Sequence, residues 1–139
     1  MPLRYELMIL TLARGELYQG RVASLVAPGL EGYFGVLARH APLVAQLAPG
    51  ELSVVDEKER RRFFAVSGGF LEVGWDRVTV LADAAEAADD INVARARQAQ
   101  ERAQRRLRSR ESDVDLARAE IALRRALNRL RIAERRQHT

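Results

Sequence analysis

Ala87-Ala88-Asp89-Asp90-Ile91-Asn92-Val93-Ala94-Arg95-Ala96 is the stretch on which the reading of this chain turns. Before it the sequence is β-patterned and punctuated by Gly and Pro; after it there is neither residue, only an Ala/Arg-rich run to the end. Charge divides at the same place. Residues 1–90 carry nine basic and thirteen acidic side chains, net −4, whereas residues 91–139 carry fourteen Arg against six acids, net +8. The formal +4 of the whole chain hides a bipolar molecule, which predicts a β domain over 1–88 and a basic helical arm over 89–139.

In the first part, Tyr5-Glu6-Leu7-Met8-Ile9-Leu10, Arg62-Phe63-Phe64-Ala65-Val66 and Val78-Thr79-Val80-Leu81 have strand length and apolar alternation. Short strands at such spacing predict a sandwich or barrel. Pro28-Gly29, Pro49-Gly50, Gly68-Gly69 and Trp75-Asp76 read as the turns between them. In the second part Asp89 and Asp90 are placed to cap a helix running to about Leu107. Ser109-Arg110-Glu111-Ser112 breaks the pattern, and Ser112 or Asp113 can cap a second helix with Leu116, Ala119, Leu123, Ala126, Leu127 and Leu130 at intervals of three and four. So short a break makes the two helices an antiparallel hairpin, and its narrow Leu/Ala stripe lets them approach closely. Such a hairpin is marginal alone and should dock on something.

Catalytic chemistry is poorly supplied. The only histidines are His40 and His138, the second near the terminus, and His40 lacks a partner for metal binding or a proton relay. With no cysteine there is no disulfide framework and no thiolate zinc site, which suits a reducing compartment. No P-loop is present, and Gly32 and Gly35 do not give dinucleotide spacing. Glu72, Asp76 and Asp83 are the carboxylates an enzyme reading would have to use, with no geometry behind them. Apolar runs fall short of the roughly 20 residues of a membrane span, and the N-terminus has no signal-peptide pattern, so a soluble, non-exported protein is expected.

The arginines remain. Arg95 and Arg102 share one face of the first helix, and Arg125 and Arg129 share one face of the second. Should those faces meet, four guanidiniums would converge, and an oligophosphate would turn their repulsion into charge-assisted hydrogen bonds. The plain alternative is that all four point into water.

Several segments, in order, carry a resemblance to a known family: Leu17-Tyr18-Gln19-Gly20; Gly32-Tyr33-Phe34-Gly35-Val36-Leu37 with His40-Ala41-Pro42-Leu43; Leu47-Ala48-Pro49-Gly50-Glu51-Leu52; Ser67-Gly68-Gly69-Phe70-Leu71-Glu72-Val73; and Val78-Thr79-Val80-Leu81-Ala82-Asp83. Followed by an Ala/Arg hairpin, the chain resembles the epsilon subunits of bacterial rotary F-type ATP synthases over nearly its whole length. The resemblance implies a ten-stranded N-terminal β-sandwich bound to the gamma subunit and the c ring, peripheral at the cytoplasmic face of the bacterial plasma membrane. It implies a non-catalytic rotor subunit whose hairpin folds down on the sandwich, or extends along gamma and blocks hydrolysis. In the extended state Arg118, Arg124, Arg125, Arg131 and Arg135 would face an acidic segment of the beta subunit within the alpha/beta assembly. Glu31, Tyr33, Arg39 and His40 would touch gamma or the ring. Here Tyr33 replaces a common acidic residue, and Ala38-Arg39 replace a Pro-Gly turn.

Some members bind ATP as a regulatory ligand, through Ile or Leu, Asp, two variable residues and Arg-Ala. The corresponding segment is Ile91-Asn92-Val93-Ala94-Arg95-Ala96, which departs at Asn92. Glu86, Arg102, Arg125 and Arg129 fall where the remaining nucleotide contacts would be. No cofactor is otherwise implied. A nucleic-acid-binding adaptor is the competing reading of the basic arm; against it, the arm has no aromatic residue for stacking, and acids at 101, 111, 113, 115, 120 and 134 interrupt its charge.

Overall fold

The computed structural model describes residues 3–109 and 113–137. Seven strands precede two helices: β1 Tyr5–Thr11, β2 Gly15–Gly29, β3 Gly32–Leu37, β4 Leu43–Asp56, β5 Arg61–Val73, β6 Arg77–Ala82, β7 Ala85–Ala87, α1 Val93–Ser109 and α2 Asp113–Ala133. The sheet runs β1-β6-β5-β4-β2-β3, and an additional β1–β2 pairing closes it into a flattened barrel. β1 and β6 are parallel; the other pairs are antiparallel. Side chains alternate across each strand, so Leu7, Ile9, Val22, Leu25, Leu52, Val54, Leu71 and Val80 fill the interior. Tyr5 reaches in with them and donates its hydroxyl to the Val36 carbonyl at 2.7 Å.

Ten short strands are not what forms. β2, β4 and β5 are 15, 14 and 13 residues long and run through the places read as turns. Pro49-Gly50 lies inside β4 and Gly68-Gly69 inside β5, with Pro49 opposite Ser67 and Leu47 opposite Gly69. Gly68 and Gly69 have φ of 107° and 120°. A Cβ on Gly69 would lie 2.2 Å from the Leu81 carbonyl oxygen. The two strands therefore bend together, still paired, and carry the sheet from one layer of the barrel to the other. Pro28-Gly29 likewise ends β2 in continuous strand, beside a register shift in its pairing with β4. Trp75-Asp76 is a true turn between β5 and β6.

The start of the first helix also differs from expectation. Asp89 and Asp90 belong to a single 3-10 turn, Ala88–Asp90. The cap of α1 is Asn92, whose Oδ1 accepts the Arg95 N–H at 3.1 Å. The dipeptide of acids is one turn too early because Ile91 has an extended backbone and is buried below the helix start. α1 ends at Ser109, whose hydroxyl donates to the Arg106 carbonyl at 2.9 Å. The break read at 109–112 agrees with these bounds, although residues 110–112, and with them the Ser112 cap, lie outside the described residues; so does His138. Ala96 and Ala103 on α1 and Ala119 and Ala126 on α2 are all buried. With no side chain beyond Cβ on these stripes, the helices pack closely, leaving Leu107, Leu116, Leu123 and Leu130 half-buried at the margins.

The hairpin is folded against the barrel. α2 lies on the outer face of β4 and β5. Ile132 and Ala133 enter a small second core with Ala65, Ala88 and Ile91, flanked by Phe63 and Val93. Phe64 and Val66 point inward, so their neighbours Phe63 and Ala65 face the arm.

Candidate functional site

Where α2 crosses the barrel, a groove of about 520 Å³ opens between arm and body, lined among others by Thr11, Arg14, Ser67, Glu86, Ala99, Arg125 and Arg129. β7 supplies Glu86 at its centre, and β7 is held there by pairing Ala65 with Glu86. Arg129 is ion-paired to Glu86 through its Nε. Of the eight residues anticipated for a nucleotide, Glu86, Arg125 and Arg129 line this groove. Arg95 and Arg102 do not line it and are exposed, but they stand one turn either side of Ala99, which does. Their guanidiniums flank the groove rather than meet Arg125 and Arg129 within it. Ile91 and Ala96 are buried and serve packing, the first in the small core and the second between the helices. Asn92 is exposed at the helix start with its Oδ1 committed to the cap. A larger groove of about 810 Å³ lies on the other flank, lined by Tyr18, Arg61, Arg62, Phe63, Asp90 and Arg135, and holds none of the eight.

Besides the Glu86 pair, Asn128 and Arg135 seat the arm on the body through polar contacts. Asn128, buried, donates its Nδ2–H to the Gly50 carbonyl at 3.0 Å. Its Oδ1 accepts from Arg131 at 3.1 Å. Arg135 donates to Glu51 at 3.4 Å and lies 5.4 Å from the Phe63 ring centroid. Arg131 and Arg135 are thereby occupied in the folded state, whereas Arg118, Arg124 and Arg125 are exposed.

The four residues anticipated to touch a rotor partner are not one patch. Glu31 sits in the β2–β3 turn and Tyr33 begins β3; Arg39 and His40 follow its other end, roughly 20 Å away along six residues of strand. Arg39 has φ of 64°, a left-handed position of the kind that Gly adopts most readily. His40 Nδ1 lies 2.7 Å from the Ala41 carbonyl, so Nδ1 carries the proton that this contact needs. β3 is the edge strand, which gives all four a common exposed border.

Asn128, Gly50 and Glu51 were invisible to sequence reasoning as a group, because they are separated by 78 residues and only register brings them together. An exposed apolar strip was missed as well: Val44, Phe70 and Leu81 on the outer face of β4, β5 and β6. Its signal was present, since each occupies the outward phase of a strand whose inward phase is already apolar. Among the described residues no cluster of acids and histidines could hold a metal, and no helix is long and apolar enough to cross a membrane.

A β barrel closed on itself, a helical hairpin docked on its outer face and a polar groove between them define a two-part β-barrel and helical-hairpin protein. The ATP synthase delta/epsilon chain β-sandwich model matches residues 5–88, and the long α-helix domain model of the same chain matches residues 89–134. The chain belongs to the ATP synthase delta/epsilon chain family, whose members are non-catalytic subunits. It is similar to the ATP synthase epsilon chain of Moorella thermoacetica, 51% identical over 66% of this chain and 69% of that one. To the epsilon chain of Protochlamydia amoebophila it is 41% identical over 76% and 71%. Among solved structures it is similar to a chain of the Euglena gracilis mitochondrial ATP synthase OSCP/F1/c-ring assembly, with a TM-score of 0.77 at 30% identity over 89% of this chain and 78% of that one. These matches leave the nucleic-acid adaptor without support.

Proposed function

We propose that this chain is a central-stalk rotor subunit at the cytoplasmic face of the bacterial plasma membrane, with a hairpin that senses ATP and restrains hydrolysis. Its relatives' assembly in an F1/c-ring complex supports the first part. For the sensor, the observation that carries the reading is one groove between body and arm lined by Glu86, Arg125 and Arg129 and flanked by Arg95 and Arg102. Its volume of about 520 Å³ falls within the range of small-molecule sites. Arg129 is held by Glu86, so an arriving phosphate exchanges one anion for another instead of filling an empty cation cluster. Asn92 is outside the groove's lining at the helix start, where its Oδ1 is the cap, so what it could offer adenine in place of a carboxylate is its Nδ2 donor.

ATP stabilises the folded arm only through its preference for that state, by about 2.7 kcal/mol at a concentration 100 times its Kd. When ATP is scarce the arm leaves, Arg135 loses Glu51, and with Arg131 it joins Arg118, Arg124 and Arg125 as a counter-charge for an acidic beta segment. Gamma and the c ring meet the border marked by Glu31, Tyr33, Arg39 and His40, with the Val44, Phe70 and Leu81 strip as the apolar part of that interface.

Calorimetry of the isolated protein with ATP, ADP and GTP, with and without Mg²⁺, tests the sensor. Adenine-selective heat that Arg95→Ala or Arg129→Ala removes is the expected result. No heat with any nucleotide would refute the sensor and leave the rotor assignment standing.

A further inference from the structure

One peptide group joins the edge strand to the arm. The pairing of β2 with β4 jumps from Val26 opposite Ser53 to Gly29 opposite Leu47, so residues 48–52 of β4 have no ladder partner on that side. The Glu51 N–H falls in this gap and donates instead to the Tyr33 hydroxyl oxygen at 3.2 Å. The carbonyl of the same peptide, that of Gly50, accepts from Asn128 Nδ2 at 3.0 Å. N–H and C=O of a trans peptide point in opposite directions within one rigid plane, so neither end turns without the other. Gly50 is confined at this point: a Cβ there would lie 2.7 Å from the Pro28 Cβ and 2.8 Å from the Tyr33 hydroxyl. Asn128 is in turn a buried polar side chain on a helix, with both ends of its amide engaged.

We propose that Tyr33 is a positioning residue for the arm: by holding the Glu51 amide it sets the plane of the peptide whose carbonyl Asn128 grips, so β3 and α2 are one coupled unit. Hydrogen bonds in such a chain polarise one another, and removing the first weakens the second. Tyr33 is 58% exposed on the edge strand, so a partner seated there acts on the same hydroxyl that fixes the arm. The coupling is then reciprocal: whatever strengthens the seating of α2 orders Tyr33 for that partner. This regulatory meaning rests on the rotor reading, but the coupling itself is a property of the isolated chain.

Hydrogen exchange of the full-length isolated protein tests it without nucleotide or partner. Tyr33→Phe should speed exchange of α2 amides roughly three- to tenfold, the effect of one modest hydrogen bond, with β5 and β6 unchanged. Asn128→Ala should do the same or more, and the double variant should exchange no faster than Asn128→Ala alone. Unchanged α2 exchange in Tyr33→Phe, multiplying effects in the double variant, or a rise spread equally over β5 and β6 would each overturn the proposal. None of these outcomes depends on whether ATP binds or a rotor partner exists.

Discussion

The Asp56 carboxylate reinforces the β4–β5 connection, beside backbone bonds from the Asp56 N–H to the Arg60 carbonyl at 2.9 Å and from the Glu59 N–H to the Asp56 carbonyl at 3.0 Å. Its Oδ1 accepts the Lys58 and Arg60 N–H groups at 2.9 Å each, and its Oδ2 lies 3.5 Å from Arg62 Nε. Burial pushes its pKa up, but the Arg60 and Lys58 amides and the Arg62 guanidinium outweigh that and hold it below the ordinary carboxylate value. A carboxyl depressed on folding contributes stability above the unfolded pKa and loses that contribution as pH falls through the folded one. Asp56→Asn keeps an acceptor for the two amides, removes the charge and turns an amide NH2 toward Arg62 in place of Oδ2. The variant should be less stable by about 1–2 kcal/mol near neutral pH, as a charge-assisted contact is worth. In urea melts the gap should close as pH is taken below the carboxylate range; a gap that persists in acid would mean that packing, not ionisation, sets the cost.

At the scale of elements, α1 shows how one side chain can belong to two accounts. Asn92 stands where the proposed nucleotide reading asks for Asp, yet Asn and Asp are near-equal helix caps, and the folded helix uses Asn92 as a cap. Asn92→Ala should cost about 1 kcal/mol of helix stability, whereas Asn92→Asp should hold or slightly raise it by placing a carboxylate at the positive end of the dipole. Circular dichroism during thermal unfolding checks both; equal losses in the two variants would remove the cap from the explanation. What could be read beforehand follows from where the information lies. The apolar periods of β1, β6 and both helices are local, so their existence and kind were legible. Pro49-Gly50 and Gly68-Gly69 are also local signals, but their meaning depends on facing each other across a ladder, and as a pair they bend strands that either would have ended alone. Within the candidate site, Glu86, Arg125 and Arg129 were legible through the resemblance. The Asn128–Gly50 contact was not, because a lone Asn among arginines looks like solvated surface until β4 is laid beside it.

For the whole molecule the question is which force keeps a +8 arm on a −4 body. The charge split suggests electrostatics, but Arg135 is half exposed in its pair with Glu51 and Arg129 about a third exposed in its pair with Glu86, and pairs open to solvent contribute about 0–1 kcal/mol each. Ile132 has no exposed surface, and emptying such a site costs about 2–5 kcal/mol. The apolar seat therefore dominates, and charge is the smaller contribution to holding the arm. Raising salt from about 0.05 to about 0.5 M should loosen α2 only a few-fold in hydrogen exchange, since it screens the ion pairs and leaves the apolar seat intact. Ile132→Ala should release the arm by a much larger factor while β5 and β6 keep their protection, because Ile132 packs in the small core and not in the barrel. In the assembled motor, on the proposed function, that variant should hold hydrolysis low even at high ATP, since the nucleotide would have to restore more free energy than its own binding supplies. Strong salt sensitivity with a mild Ile132→Ala effect would reverse the order of the two forces and make the arm an electrostatic latch.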